Sequence, residues 1–223
     1  LQILLLRRTL HIWQKLKHSN MPLVSASTLR EYLPEIAGNT AIDSELNSLL
    51  SRVEKGIANF LGFPFNESLL SPTLESATYT FYVDAPIYQD IYTLQLPISP
   101  VTSITSIHSD VNREYGSDTL IDSSTYELDQ KYGRIIQKPQ SVTRYFESGY
   151  RANKIICVAG YVTAPSDLEH AICVLASMQQ RNKTNQGKES LTSRNGSIKL
   201  TPKNMPLEVK EYLRPYRSPT IIM

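Results

Sequence analysis

The chain has 223 residues, 23 Lys and Arg against 21 Asp and Glu, and 41% hydrophobic and 20% charged residues, which excludes the disordered and fibrous classes. Its length suits one modest domain with extensions. Two cysteines, Cys157 and Cys173, exclude a disulfide scaffold and predict buried free thiols in a reducing compartment, with a single pairing between them left open. Thirteen Tyr against nine Gly favour twisted, half-buried strands over Gly-rich phosphate loops.

The net charge of +2 is unevenly spread: residues 1–20 carry +4, residues 21–180 carry −8 and residues 181–223 carry +6. An acidic body repels DNA, while a basic tail seeks an acidic surface. Residues 1–20, LQILLLRRTLHIWQKLKHSN, hold an apolar run too short to span a bilayer, with charges after it rather than before it, unlike a secretory signal. Leu4, Leu5, Arg7, Arg8 and Trp13 also permit an amphipathic helix lying on a membrane surface. With Met21 as the start of the folded protein, residues 1–20 are read as an N-terminal extension outside the fold. No membrane-spanning segment is expected elsewhere.

Ser25 to Thr28 followed by Leu29 to Leu33 predicts a short helix stopped by Pro34. Thr40 and Asp43 have the spacing of a capping box. Leu46, Leu49, Leu50, Val53, Ile57, Phe60 and Leu61 then recur at helical spacing until Gly62, predicting a helix over residues 41–61. The period next changes to two. Strands are expected at Thr78–Val83, Tyr92–Leu96 and Val101–Ile107, with Pro100 turning the chain between the last two. Asn112–Ser117 reads as a polar turn, and Tyr126–Asp129 with Arg134–Gln137 as a hairpin. Lys154–Val158 is apolar enough to be a central strand, and Gly160 permits a bend beyond it.

Pro165 presets a helix with Leu168, Ala171, Ile172, Leu175 and Met178 on one face. Residues 182–197 are polar and without periodicity, and are read as mobile. Pro206–Leu213 predicts a short final helix closed by Pro215. The expected architecture is α+β: helices from the N-terminal part (21–76) and from 163–182 packed as a bundle, an antiparallel β-sheet region (77–162) inserted between them, and an extended C-terminal arm (183–223).

The sequence offers little chemistry. No nucleophile elbow, phosphate loop or dinucleotide turn occurs. His170 and Cys173 share a helical face and with Cys157 make three conceivable zinc ligands, but no CxxC or HExxH spacing supports them. Arg181, Lys183, Lys188 and Arg194 have no interleaved aromatic residues to stack bases. Tyr79, Tyr82, Tyr88 and Tyr92 are compatible with an adhesive face, although strand tyrosines more often cover a sheet.

Several phrases in order carry a resemblance: Ile57-Ala-Asn-Phe-Leu-Gly62, then Leu94-Gln-Leu-Pro-Ile-Ser-Pro100-Val-Thr-Ser-Ile104, then Tyr126-Glu-Leu-Asp129, then Ala159-Gly-Tyr161 with Pro165, Leu168, Ala171 and Ile172. Together, over Ser27–Tyr216, the chain resembles the head-to-tail connector (adaptor or head-completion) proteins of tailed bacteriophages. The N-terminal extension and residues 64–76 have no counterpart in that pattern. The resemblance implies a virion protein of the neck, assembled in the host cytoplasm. It implies a homo-oligomeric ring, commonly a dodecamer, beneath the portal protein, with DNA as passing cargo and a tail or further neck protein below. With no catalytic or metal-ligand motif in the sequence, no cofactor, no metal, no membrane and no catalysis are expected.

An acidic body suits a lumen through which DNA slides. The C-terminal arm is then the portal-docking element, with Lys199, Lys203, Tyr212, Arg214, Tyr216, Arg217, Ile221, Ile222 and Met223 as docking residues, since Tyr and Arg dominate interfaces and an apolar end suits a groove. A chain ending near Lys203 is expected to stay folded and lose portal binding. Gly62, Pro100, Gly160 and Pro165 are structural turns. Alternatives are a tail-completion or tail-terminator protein, a host-surface adhesin, and a metal-dependent or hydrolytic enzyme using His170 and Cys173.

Overall fold

The computed structural model describes residues 22–86, 92–138, 146–183, 190–193, 196–199 and 205–218, with the backbone alone for 190–193 and 196–199. The chain begins with helix α1, Ala26–Glu31, whose N-terminus is capped by the Ser25 hydroxyl accepting from Thr28 N–H at 3.2 Å. Pro34 ends the run and opens a single 3-10 turn. Helix α2, Asp43–Leu61, buries Leu46, Leu49, Leu50, Val53, Ile57, Ala58 and Leu61 along one stripe. Gly62, at φ 78°, closes it in the left-handed conformation, with Gly62 N–H on Asn59 O and Phe63 N–H on Ala58 O.

The expected capping box does not form. The N-cap is Ile42, with no side-chain bond to the helix, and Thr40 contributes only its carbonyl, which accepts from Asp43 N–H at 3.2 Å. The Asp43 carboxylate pairs instead with the Arg30 guanidinium of α1. A charge-assisted pair is stronger than a neutral one, so the carboxylate joins two helices rather than capping one.

Two short strands, β1 (Phe65–Asn66) and β2 (Ser71–Pro72), pair across a turn and lead to the main sheet. That sheet has the order β3-β8-β5, from β3 (Ala77–Ala85), β5 (Val101–Ser109) and β8 (Gly149–Ala159), all antiparallel. The apolar run in β8 is explained by its central place, where Ile155 faces both Phe81 and Ile107 in register. A second sheet has the order β4-β7-β6, from β4 (Thr93–Gln95), β6 (Tyr126–Asp129) and β7 (Arg134–Gln137), and its β6-β7 pair is the expected hairpin. Pro100 lies between β4 and β5 after a cis Ser99–Pro100 bond.

Helix α3, Ser166–Arg181, follows β8. Pro165 is its N-cap rather than its first helical residue, and its carbonyl accepts from Glu169 N–H at 2.8 Å. Helix α3 packs against α2, α1 and the last helix, α4 (Leu207–Leu213). The chain is therefore α+β, with four α-helices among the described residues and small antiparallel sheets. One apolar core runs through both kinds of element, including Leu29, Leu50, Ile57, Ile107, Ile155, Ile172 and Leu213. Within the segment 182–197, read as polar and mobile, β9 (Ser190–Ser193) pairs antiparallel with β10 (Gly196–Lys199), because backbone pairing does not require an apolar face, while residues 184–189 and 194–195 lie outside the described residues.

Candidate docking surface

Helix α4 places Val209 and Leu213 four residues apart on one side, and both are fully buried. The opposite side presents Leu207, Lys210, Glu211 and Arg214 to solvent. Two aromatic contacts extend this seat. Tyr212 meets His170 edge-on at 5.2 Å between ring centroids, and His170 Nδ1 hydrogen-bonds with the Tyr32 hydroxyl at 2.9 Å, so α4, α3 and the residue capping the end of α1 share one aromatic contact line. Tyr216 meets Tyr161 edge-on at 6.0 Å, and Tyr161 packs against Phe63.

The Tyr216 hydroxyl donates to Asp167 Oδ1 in the first turn of α3. Burial, that bond and the carboxylate's charge hold the hydroxyl well above the usual tyrosine range. Burial and the same carboxylate push Tyr161 up to about 12. Ser218 N–H then donates to Leu61 O at 2.9 Å, and Arg217 lies over the Phe60 ring at 5.3 Å. The described end of the chain is therefore folded back on the helices and not extended. Its apolar stripe has a lower free energy against α3 than in water.

This arrangement sorts the nine expected docking residues. Tyr216 faces inward, Arg217 covers Phe60, Tyr212 is partly engaged with His170, and Arg214 is open to solvent, with only a loose 3.9 Å approach to Glu211. Lys199 closes β10 opposite Ser190. Lys203, Ile221, Ile222 and Met223 lie outside the described residues, as do Tyr88 and residues 1–20. Part of the positive charge near the tail is already matched: Arg181 pairs with Glu35 at 3.1 Å and Lys183 pairs with Glu45.

Of the four turn residues, Gly160 is the most constrained. It has φ 104°, and a Cβ there would stand 2.4 Å from Glu75 O and 2.9 Å from Leu74 O. The close approach carries paired bonds: Tyr161 N–H on Leu74 O at 2.8 Å and Ser76 N–H on Tyr161 O at 2.9 Å.

The residues of the enzyme alternative are dispersed. Cys157 lies in the central strand and Cys173 in α3, both buried and unpaired, and burial pushes each thiol up to about 12. A nucleophilic or metal-bound cysteine is a thiolate, which this environment opposes. His170 is engaged by Tyr32 and Tyr212. Among the described residues no three His, Cys, Asp or Glu converge as a metal site, and no helix is long and apolar enough to cross a membrane.

The structure also assembles a surface that sequence reasoning did not find. At one end of the main sheet Tyr82 and Tyr115 meet at 5.6 Å, Arg151 lies over Tyr82 at 4.2 Å, and Lys154 lies over Tyr115 at 5.4 Å. Arg113, Tyr115 and Arg151 all have φ between 53° and 66°, and Asp110 accepts from the amides of Asn112, Glu114 and Tyr115. These residues come from three distant segments, of which the sequence showed separately only the polar turn at Asn112–Ser117 and Tyr82 among the strand tyrosines.

No family model and no curated protein matches the chain. Among solved structures, a chain from the neck of an empty GTA particle computed with C6 symmetry matches with a TM-score of 0.51 and 19% identity, over 83% of this chain and 83% of that one. A chain from the neck of a native GTA particle computed with C12 symmetry matches with a TM-score of 0.49 and 18% identity, over 89% of this chain and 95% of that one. At such identity the likeness is one of fold, which this chain shares with a chain from the neck of a GTA particle.

Proposed function

We propose that this chain is a structural protein of a phage-like particle, located at the head-tail interface and acting by assembly rather than catalysis. The observation that carries the reading is the shared fold with a particle-neck protein over 83% of each chain. In this reading the copies close into a ring, a dodecamer by the resemblance of sequence phrases. The acidic body lines or surrounds a passage in which DNA moves without being held. The solvent-facing side of α4 and the chain beyond it meet the portal protein, and another neck or tail protein binds below.

Co-expression with the cognate portal protein tests the docking element. Arg214 is exposed and makes no close pair, so Arg214→Glu is expected to change folding stability by less than about 0.5 kcal/mol. At an interface, charge reversal is expected to weaken portal binding by at least about tenfold. Binding unchanged by Arg214→Glu would remove α4 from the interface. Capture of the tail tube in place of the portal would favour a tail-completion protein.

A further inference from the structure

The Tyr82–Tyr115 pair is held at the Gly149 end of the main sheet by polar bonds from three segments. The Tyr115 hydroxyl donates to Arg151 O at 2.6 Å, and Arg151 N–H donates to Asp84 Oδ1 at 2.8 Å. Asp110 accepts the amides that fix the loop carrying Arg113 and Tyr115. Asp84 and Asp110 thus direct their carboxylates at amides, and Glu114 is the remaining acid of the loop. Arg113, Arg151 and Lys154 enter no ion pair among the described residues, and the last two rest on the tyrosine rings. The aromatic pair is bordered by three unpaired cations.

A second aromatic surface has the opposite border. Tyr32, His170 and Tyr212 form the line across the helices, and Tyr212 is 38% exposed. Glu31 precedes Tyr32, Glu169 precedes His170, and Glu208 lies one turn before Tyr212 on the same side of α4. Burial first, then Cys173, Glu169 and Glu31, hold the Tyr32 hydroxyl above its ordinary range, in keeping with both carboxylates lying beside that ring. None of the three acids enters an ion pair among the described residues, whereas Arg30 of α1 is paired with Asp43 and Arg181 of α3 with Glu35.

We infer that the two surfaces meet between copies. The Tyr82–Tyr115 surface of one copy, through Arg113, Arg151 and Lys154, docks on the Tyr32–His170–Tyr212 line of the next, through its Glu31, Glu169 and Glu208. Within one copy, β8 carries the first surface near its Gly149 end and leads to α3 from its Ala159 end, and the strand between Arg151 and Ala159 spans about 26 Å. Three cations against three anions, with aromatic rings on both sides, suit an interface by charge and by residue type. A contact between two different faces of one chain is heterologous, so it repeats from copy to copy and closes a ring where the rotation allows. It rests on the reading of the chain as a ring-forming protein and supplies the joint of that ring. The Lys210 and Arg214 side of α4 is left to the portal.

Two variants of the whole chain test the contact, one carrying Arg151→Glu with Lys154→Glu, the other Glu31→Lys with Glu169→Lys. Each is expected to raise the protein concentration needed for assembly, with or without portal, by at least about tenfold, read as mass in solution. Mixed in equal amounts, the two are expected to assemble again, since each sheet surface then faces a helix surface of opposite charge. Assembly of either variant at the native concentration, or a mixture that assembles no better than its parts, would overturn the contact and leave the ring standing. A native chain that never assembles would overturn both. Should either variant fail to fold by circular dichroism, the salt dependence of native assembly decides. Weakening by about tenfold or more between about 0.05 and about 0.5 M salt supports the contact, and insensitivity to salt overturns it.

Discussion

Gly160→Ala is expected to cost about 3 to 5 kcal/mol and to lower the melting temperature by about 10 °C, among the largest effects of any single methyl group in this chain. Two independent penalties combine. The backbone at φ 104° is one that L side chains rarely adopt, and the added Cβ would stand 2.4 Å from Glu75 O. Neither partner can retreat cheaply. Gly160 N–H is bonded to Pro100 O at 3.0 Å, Tyr161 N–H to Leu74 O, and Ser76 N–H to Tyr161 O, so movement breaks the junction between the sheet and the loop before it.

Gly62→Ala supplies the control. Gly62 shares a positive φ, but the nearest atom to its added Cβ is 4.0 Å away, so only conformational strain of about 1 kcal/mol is expected. Denaturant titration of both variants checks the pair. Equal losses at the two positions would show that close approach contributes nothing at Gly160.

Removal of residues 206–223 is expected to unfold or strongly destabilise the protein, not merely to prevent docking. Val209 and Leu213 are fully buried, and Tyr216 closes over Tyr161 and bonds to Asp167. Two aliphatic side chains at about 1.5 to 3 kcal/mol each, with the tyrosine added, give about 5 to 9 kcal/mol as an upper estimate, comparable with the total stability of an ordinary domain. Leu213→Ala alone is expected to cost about 2 to 4 kcal/mol by urea denaturation. A truncated chain as stable as the full one would mean that α4 is not seated on α3. A chain ending near Lys203 would lose Val209, Leu213 and Tyr216 from the core, so it is expected to lose fold stability as well as docking, contrary to the expectation from sequence. A surface change such as Arg214→Glu is the appropriate probe of docking.

Elements whose pattern follows from their own burial were readable from sequence. The three- and four-residue recurrence from Leu46 to Leu61 is α2, the stop at Gly62 is its left-handed cap, and the apolar run in Lys154–Val158 marks the central strand. What escaped depends on partners distant in sequence. Asp43 had the right spacing for a capping box, but Arg30 lies on another helix. Glu54 falls within α2 as an ordinary charged residue, and nothing in its neighbourhood announces that the amides of Leu23 and Val24 will meet it.

The C-terminal segment shows the same division. Its Tyr and Arg content identified residue types common at interfaces, but composition does not determine which way a side chain points. Tyr216 is directed into the protein by Asp167 and Tyr161, and Arg214 away from it. The pairing of β9 with β10 did have a sign in the sequence, the Asn195-Gly196 dipeptide, a type common between paired strands. The polar composition around it masked that sign. The Tyr82–Tyr115–Arg151 surface could be seen only in pieces, as Tyr82 on a strand and a turn at Asn112–Ser117, since three separated segments converge there.

The central claim is that copies of this chain act by closing into a ring. Negative-stain electron microscopy of the purified protein, together with its mass in solution across a concentration series and with portal protein added, tests it most directly. Closed rings with a central opening, formed alone or on the portal, are the predicted result. A chain that stays monomeric at all concentrations, with and without portal, would contradict the account.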